Sequence, residues 1–217
     1  MTKTAIVIGA TGLVGQQLVT QLLASEQWHK VVVFVRSSLN VSDEKLLEHV
    51  VDFADMPQWQ ADIKGDSLFI CLGTTLSQAG SKTAMRKIDL ELPLAFATLA
   101  KGNGVNDCLL ISSYLANAHS LSHYLRLKGE LENQLAQLGF QRFIAFRPGP
   151  LLGKRKQPRF SEQVVAAMQP IFRAPYSPLR AWRGISADQL AHTMSVYALL
   201  DDNIAKQVVQ GESLFQH

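Results

Sequence analysis

Two serines, a tyrosine and a lysine are the residues whose types and spacing could do chemistry: Ser112 and Ser113, then Tyr124, then Lys128. On a helix the i, i+4 spacing sets Tyr124 and Lys128 on one face, where an ammonium favours the phenolate beside it. Such a phenol can give a proton to a carbonyl oxygen as hydride reaches the carbon, or take the proton back in reverse. Ser113 can hydrogen-bond the same oxygen, with Ser112 as the alternative hydroxyl. A Tyr-x-x-x-Lys pair alone occurs by chance on many helices, and Tyr124 by itself reads equally well as core. The serines before it and a glycine motif at the amino terminus give the pair its weight.

That motif is Gly9-Ala10-Thr11-Gly12-Leu13-Val14-Gly15, directly after the apolar run at Thr4 to Ile8. In this context Gly9 permits a tight turn, Gly12 lets the backbone approach a pyrophosphate, and Gly15 allows helix and strand to pack closely. The free amides of the helix amino terminus, across Thr11, Leu13 and Val14, then face the phosphates. A turn that merely joins strand to helix is the plainer reading, and position, spacing and flanks weigh against it. The next strand-like run ends in Arg36, followed by Ser37 and Ser38. Many NAD-binding proteins carry an acid at this point for the ribose 2′-hydroxyl. A guanidinium with hydroxyls suits a 2′-phosphate instead, so NADP(H) is expected over NAD(H).

These groups need a frame. Strand-like runs recur at Thr4 to Gly9, Lys30 to Arg36, Ser67 to Leu72, Asp107 to Ser112 and Phe140 to Arg147. Helical spacing fills Leu13 to Ser25, Ser81 to Lys101 and Leu121 to Leu138. Alternation of this kind implies an α/β doubly wound parallel sheet, the Rossmann arrangement, with right-handed crossovers. The expected organisation is a single domain over 1–217, in which 150–217 forms a C-terminal, substrate-side elaboration over the carboxyl ends of the strands. Lys154, Arg155, Lys156, Pro158 and Arg159 make a basic loop that reads first as solvated surface, though its place after Pro148-Gly149 would let it cover a cofactor or grip an acidic substrate. Ser186 to Gln189 reads as a capping box opening a helix to about Leu200, and Gln207 to Gln210 as a late edge strand.

Composition narrows the partners. With 21 Lys and Arg against 18 Asp and Glu, the formal charge of +3 is small and scattered, which argues against nucleic acid or a membrane surface. Cys71 and Cys108 lie in apolar runs and read as core thiols. No apolar stretch reaches spanning length, and a strand at Thr4 to Ile8 leaves no room for a signal peptide, so the cytoplasm is expected. The six histidines are scattered without metal-ligand spacing. His123 reads as a helix residue, and Ser122, His123 and Asp188 lack the nucleophile elbow of a hydrolase.

Further motifs are Val51-Asp52-Phe53, Cys71-Leu72-Gly73-Thr74-Thr75, Ala79-Gly80, Tyr124 with Lys128-Gly129-Glu130, and Phe146-Arg147-Pro148-Gly149 followed by Leu151-Leu152. With these the chain resembles, over nearly its whole length, the short-chain dehydrogenase/reductase superfamily, and within it the atypical branch of Tat-interacting-protein-like oxidoreductases. The resemblance implies NADP(H) binding, with Asp52 and Phe53 near the adenine and Leu72, Gly73 and Thr74 against the nucleotide. It further implies Lys128 on the nicotinamide ribose and Pro148 and Gly149 beside the nicotinamide. Asp89 stands where many superfamily members carry an asparagine, which puts any relay through that asparagine in doubt. The short C-terminal part argues against a bulky nucleotide-sugar substrate.

The expected activity is hydride transfer to or from a small carbonyl or alcohol. The alternatives are an NADP(H)-binding regulator or scaffold, and an epimerase or dehydratase that keeps its nicotinamide bound. A protein partner or a homodimer is left open.

Overall fold

The computed structural model describes residues 2–152, 183–200 and 204–216. Seven parallel strands make the main sheet among them: β1 (Lys3–Ile8), β2 (Trp28–Val35), β3 (Leu46–Val50), β4 (Ser67–Ile70), β5 (Asp107–Ile111), β6 (Arg142–Arg147) and, last in the chain, β9 (Lys206–Gln210). Their order is β3-β2-β1-β4-β5-β6-β9. The chain winds outward one way from β1 and the other way from β4, so a crevice opens at the carboxyl ends of this central pair. The short strands β7 (Leu151–Leu152) and β8 (Ile185–Ser186) pair separately.

The central strands are apolar on both faces because both are covered. Alternate residues feed two cores. Val7, Val31, Val33, Phe69 and Leu109 face one, together with Leu18 and Leu22 of α1 (Leu13–Ala24) and Leu190 and Met194 of α6 (Ala187–Leu199). Ile6, Ile8, Val32, Phe34, Leu68 and Ile70 face the other, together with Phe96 of α4 (Leu92–Gly102) and Leu127 and Leu131 of α5 (His123–Gln137). The doubly wound expectation therefore holds, and the edge strand expected at Gln207 to Gln210 is β9.

Several boundaries differ from the expected ones. β3 and the 3-10 segment Phe53–Asp62 carry no run in the sequence reading; β3 is an edge strand whose Leu47 and Val50 are exposed. The helical stretch expected over 81–101 is preceded by α2 (Leu76–Ala79) and divides into α3 (Lys82–Arg86), a π-helical turn Lys87–Glu91, and α4. Pro93 supplies the reason, since its ring has no N–H and crowds the carbonyl four residues back, and a widened turn just ahead of it relieves both.

The described part of the C-terminal segment is built into these layers. Ser186 Oγ accepts from Gln189 N at 3.1 Å and caps α6, as the sequence predicts. The other end of α6 is tied to the amino ends of the strands. Arg142 on β6 donates to Asp107 on β5 at 3.0 and 2.7 Å and to the carbonyls of Tyr197 and Ala198 at 3.3 and 3.1 Å. The basic loop at 154–159 lies outside the described residues.

Candidate active site

The glycine turn follows β1 directly. Gly9 leaves the strand with φ +81°, a conformation that L side chains rarely adopt, and a Cβ there would stand 2.6 Å from the Cys71 carbonyl carbon. Gly12 N donates to Gly9 O at 3.0 Å and closes the turn. Gly15 brings the first turn of α1 so close that its Cβ would lie 2.2 Å from Gly9 O. Gly12 is the N-cap of α1, with no side-chain hydrogen bond and no acid in the first turn. Among the described residues, the amides that begin α1 thus meet no side chain that would neutralise them, which fits a bound pyrophosphate.

Across the crevice, α5 presents Tyr124 half-buried and Lys128 at 2% exposure. Lys128 Nζ donates to Leu72 O at 3.2 Å and to Ile111 O at 3.5 Å, so one ammonium ties the ends of β4 and β5 together. Asp89, fully buried on the π-helical turn, accepts from Thr74 N at 2.8 Å. Exposed Gly73 leaves this space open: a Cβ there would stand 3.7 Å from Lys128 Nζ and 4.0 Å from Asp89 Oδ1. The residue in the place of the superfamily asparagine therefore shapes the Gly73–Thr74 loop beside the lysine. Cys71, just before this loop, is a free thiol; burial pushes its pKa up to about 12, against the opposing pull of Lys128.

The two serines part company. Ser112 is buried and its Oγ donates to Glu132 on α5, which also accepts from Arg147 Nε at 3.0 Å and Nη2 at 2.6 Å. That hydrogen bond and the charge of Glu132 hold the Arg147 guanidinium in its protonated form more firmly still, against the effect of partial burial. Ser113 is half-buried at the strand end, its Oγ within 3.3 Å of the Tyr114 carbonyl oxygen. Backbone bonds from Ser112 N to Phe146 O at 2.7 Å and from Tyr114 N to Pro148 O at 2.9 Å carry the β5–β6 pairing to Pro148, with half-buried Gly149 next to it.

Arg36 and Ser37 are exposed just beyond β2. Asp52, beyond β3, turns Oδ1 back to accept from Ala54 N at 2.9 Å and caps the 3-10 segment that half-buried Phe53 opens. His123 begins α5, its ring near Lys82 O and the Arg126 guanidinium, each at 3.3 Å, which is a helix-end role. The sequence reading missed Glu132. A signal existed, since an acid four residues after Lys128 falls on the same buried face of α5.

A family model described as HIM1 matches residues 17–176. "Protein FMP52, mitochondrial" of Candida albicans is 35% identical over 159 residues, covering 71% of this chain and 69% of that protein. "Protein HTATIP2" of Rattus norvegicus is 34% identical over 164 residues, 74% of this chain and 67% of that protein. Among solved structures, MoeE5 in complex with UDP-glucose and NAD superposes with a TM-score of 0.72 at 16% identity, covering 97% of this chain and 79% of that one, a likeness of fold. The cytoplasmic expectation is overturned, because the yeast relatives carry "mitochondrial" in their names. Free thiols and a lack of long apolar runs suit any reducing compartment and could not choose between two.

Proposed function

The chain belongs to the HIM1 family, and we propose that within it the protein is an NADP(H)-dependent oxidoreductase acting on a small carbonyl or alcohol. One observation carries this reading. A helix amino terminus free of side-chain caps, behind glycines that admit no side chain, faces the same crevice as a buried lysine that joins two strand ends one helical turn from a tyrosine. For the compartment, the names of the yeast relatives support a mitochondrial setting.

In this reading the amides that open α1, with the Thr11 backbone, hold the pyrophosphate, and Arg36 and Ser37 grip the 2′-phosphate. Asp52 and Phe53 flank the adenine. The backbone of Leu72, Gly73 and Thr74 lies along the nucleotide, and Pro148 and Gly149 stand beside the nicotinamide. The bound nicotinamide supplies or accepts the hydride. Lys128 holds the ribose and sets its charge next to Tyr124. The Tyr124 hydroxyl gives its proton to the substrate oxygen in reduction and receives one in oxidation. Because Glu132 engages Ser112, Ser113 is the hydroxyl that orients that oxygen.

Tyr124→Phe tests the proposal. The variant should keep the thermal stabilisation that NADP(H) gives the wild type and lose NADPH oxidation with any carbonyl the wild type reduces. Full turnover by the variant would refute it. An epimerase or dehydratase would instead convert its substrate with no net cofactor consumption. A regulator would oxidise no NADPH across a carbonyl panel while its partner binding changed with cofactor.

A further inference from the structure

We propose that Glu132 is a positioning residue for the nicotinamide end of the site, setting the height of α5 against the ends of β5 and β6. The inference rests on the cofactor reading above. Glu132 is 5% exposed, and its carboxylate accepts from Ser112 Oγ and from Nε and Nη2 of Arg147. Each partner sits next to a residue given a role in the chemistry: Ser112 precedes Ser113, and Arg147 precedes Pro148. Glu132 itself lies one helical turn beyond Lys128, two beyond Tyr124. A single carboxylate therefore gauges the distance between the three segments that must meet at a reacting carbon.

Backbone bonds from Ser112 N to Phe146 O and from Tyr114 N to Pro148 O fix the strand ends to each other, and one from Asn117 N to Leu125 O at 3.1 Å ties the 117–118 loop to the start of α5. None of these bonds joins α5 directly to the end of β5 or β6. Two buried side chains make that joint: Lys128 at the crevice, through Leu72 O and Ile111 O, and Glu132 one turn along, through Ser112 and Arg147. A third restraint bears sideways, where a Cβ on Gly129 would lie 2.3 Å from Ala118 N, so α5 already rests on the 117–118 loop without slack. With that approach used up, loss of the Glu132 contacts shifts α5 against the ends of β5 and β6, which moves Tyr124 and Lys128 relative to Ser113.

Stability alone is a poor reason for such a cluster. A buried ion pair offers no more stability than well-packed apolar side chains of the same volume, because desolvation offsets its attraction. Directional bonds to a fork-shaped guanidinium and a hydroxyl supply geometry instead. By engaging Ser112, Glu132 also leaves Ser113 as the adjacent hydroxyl for substrate.

The test compares the two ends of the cofactor on the full-length chain. Wild type, Glu132→Gln, Ser112→Ala and Arg147→Lys are each titrated with 2′-phospho-ADP-ribose, which lacks the nicotinamide, and with NADPH, whose nicotinamide fluorescence reports its surroundings. Glu132→Gln should bind 2′-phospho-ADP-ribose within about twofold of wild type and bind NADPH with altered emission. With any carbonyl the wild type reduces, its kcat should fall by about 10²-fold at near-constant KM, the scale expected of a reacting group displaced by about 1 Å. Arg147→Lys, which keeps the charge and loses the fork, should fall between the two.

Wild-type emission and turnover in Glu132→Gln would overturn the inference, as would a parallel loss of both ligands, which assigns Glu132 to general stability. Where Glu132→Gln does not fold, Ser112→Ala and Arg147→Lys decide, and unchanged NADPH emission in both overturns it. Wild type that binds neither NADPH nor NADH is a separate failure, of the cofactor reading itself.

Discussion

Gly15→Ala reverses the usual sign of a glycine-to-alanine change in a helix. In an ordinary helix interior that change gains about 1 kcal/mol from propensity and from a less flexible unfolded chain. At Gly15 the new Cβ would lie 2.2 Å from Gly9 O and 2.9 Å from Ala10 Cα, well inside the ~3.5 Å at which such atoms rest. Every obstacle is backbone, so no side chain can swing aside and the first turn of α1 must lift. Overpacking of this kind costs about 1–3 kcal/mol, and immovable neighbours place it at the upper end. Set against the propensity gain, the net loss is about 2 kcal/mol, which for a chain of this size lowers Tm by about 4–8 °C. Gly102, the last residue of α4, is the control: a Cβ there meets nothing within 4 Å, so Gly102→Ala should raise Tm slightly. Thermal melts of both variants, with and without NADP(H), give the answer. Gly15→Ala should also lose most of the cofactor-dependent shift, because the lifted turn carries the phosphate-facing amides with it. A Gly15→Ala melt at or above wild type would refute the steric reasoning.

Three further outcomes are expected. Arg36→Ala should weaken the stabilisation given by NADP(H) while leaving that given by NAD(H) unchanged; equal loss for both would remove Arg36 from the 2′-phosphate. Asp107→Ala should cost about 1.5–3 kcal/mol in a denaturant titration by removing the hydrogen bonds that Asp107 accepts from the buried Arg142 guanidinium, with cofactor affinity per folded molecule unchanged. Burial raises the thiol of Cys71 to about 12 and raises that of Cys108 as well, whereas an unfolded thiol titrates near ~8.5. The folded state therefore keeps protons that the unfolded state releases, and their stabilising effect is complete below about pH 8.5 and shrinks as pH rises toward 12. Denaturation midpoints should fall between pH 8.5 and 10.5, less steeply in Cys108→Ala, and an identical slope in that variant would count against the thiol as the cause.

The sheet was legible because its central strands are buried on both faces, which writes them as apolar runs such as Leu68 to Ile70 and Cys108 to Ile111. β3 was not, because an edge strand mixes exposed Leu47 and Val50 with Glu48 and His49 and leaves neither an apolar run nor an alternation. The break in the 81–101 stretch was readable from Pro93, yet its form, a π-helical turn that buries Asp89 under Thr74, depends on packing. In the site, glycines 9 and 15 announce themselves since no other residue tolerates those approaches. The Ser112–Glu132–Arg147 cluster joins positions 20 and 15 residues apart, and nothing local in the sequence demands that they meet. The compartment was misread for a different reason, since composition reports redox and solvation rather than address.

The two ends of the strands divide the work. At the amino ends, Arg142, Asp107 and Lys3 bind the sheet to the carbonyls that close α6, with Ser67 Oγ donating to Asp107 at 3.1 Å. At the carboxyl ends stand the features that cost stability: a positive φ at Gly9, a helix amino terminus without a side-chain cap, a buried ammonium and a buried carboxylate. A fold that carries such groups at one end draws its stability from its two apolar cores, and the ionic clamp fixes α6 to the sheet where it cannot touch a ligand. Asp107→Ala and Gly15→Ala should therefore differ in kind. Both lower Tm, but only the carboxyl-end change should alter cofactor affinity once each protein is compared at equal folded fraction.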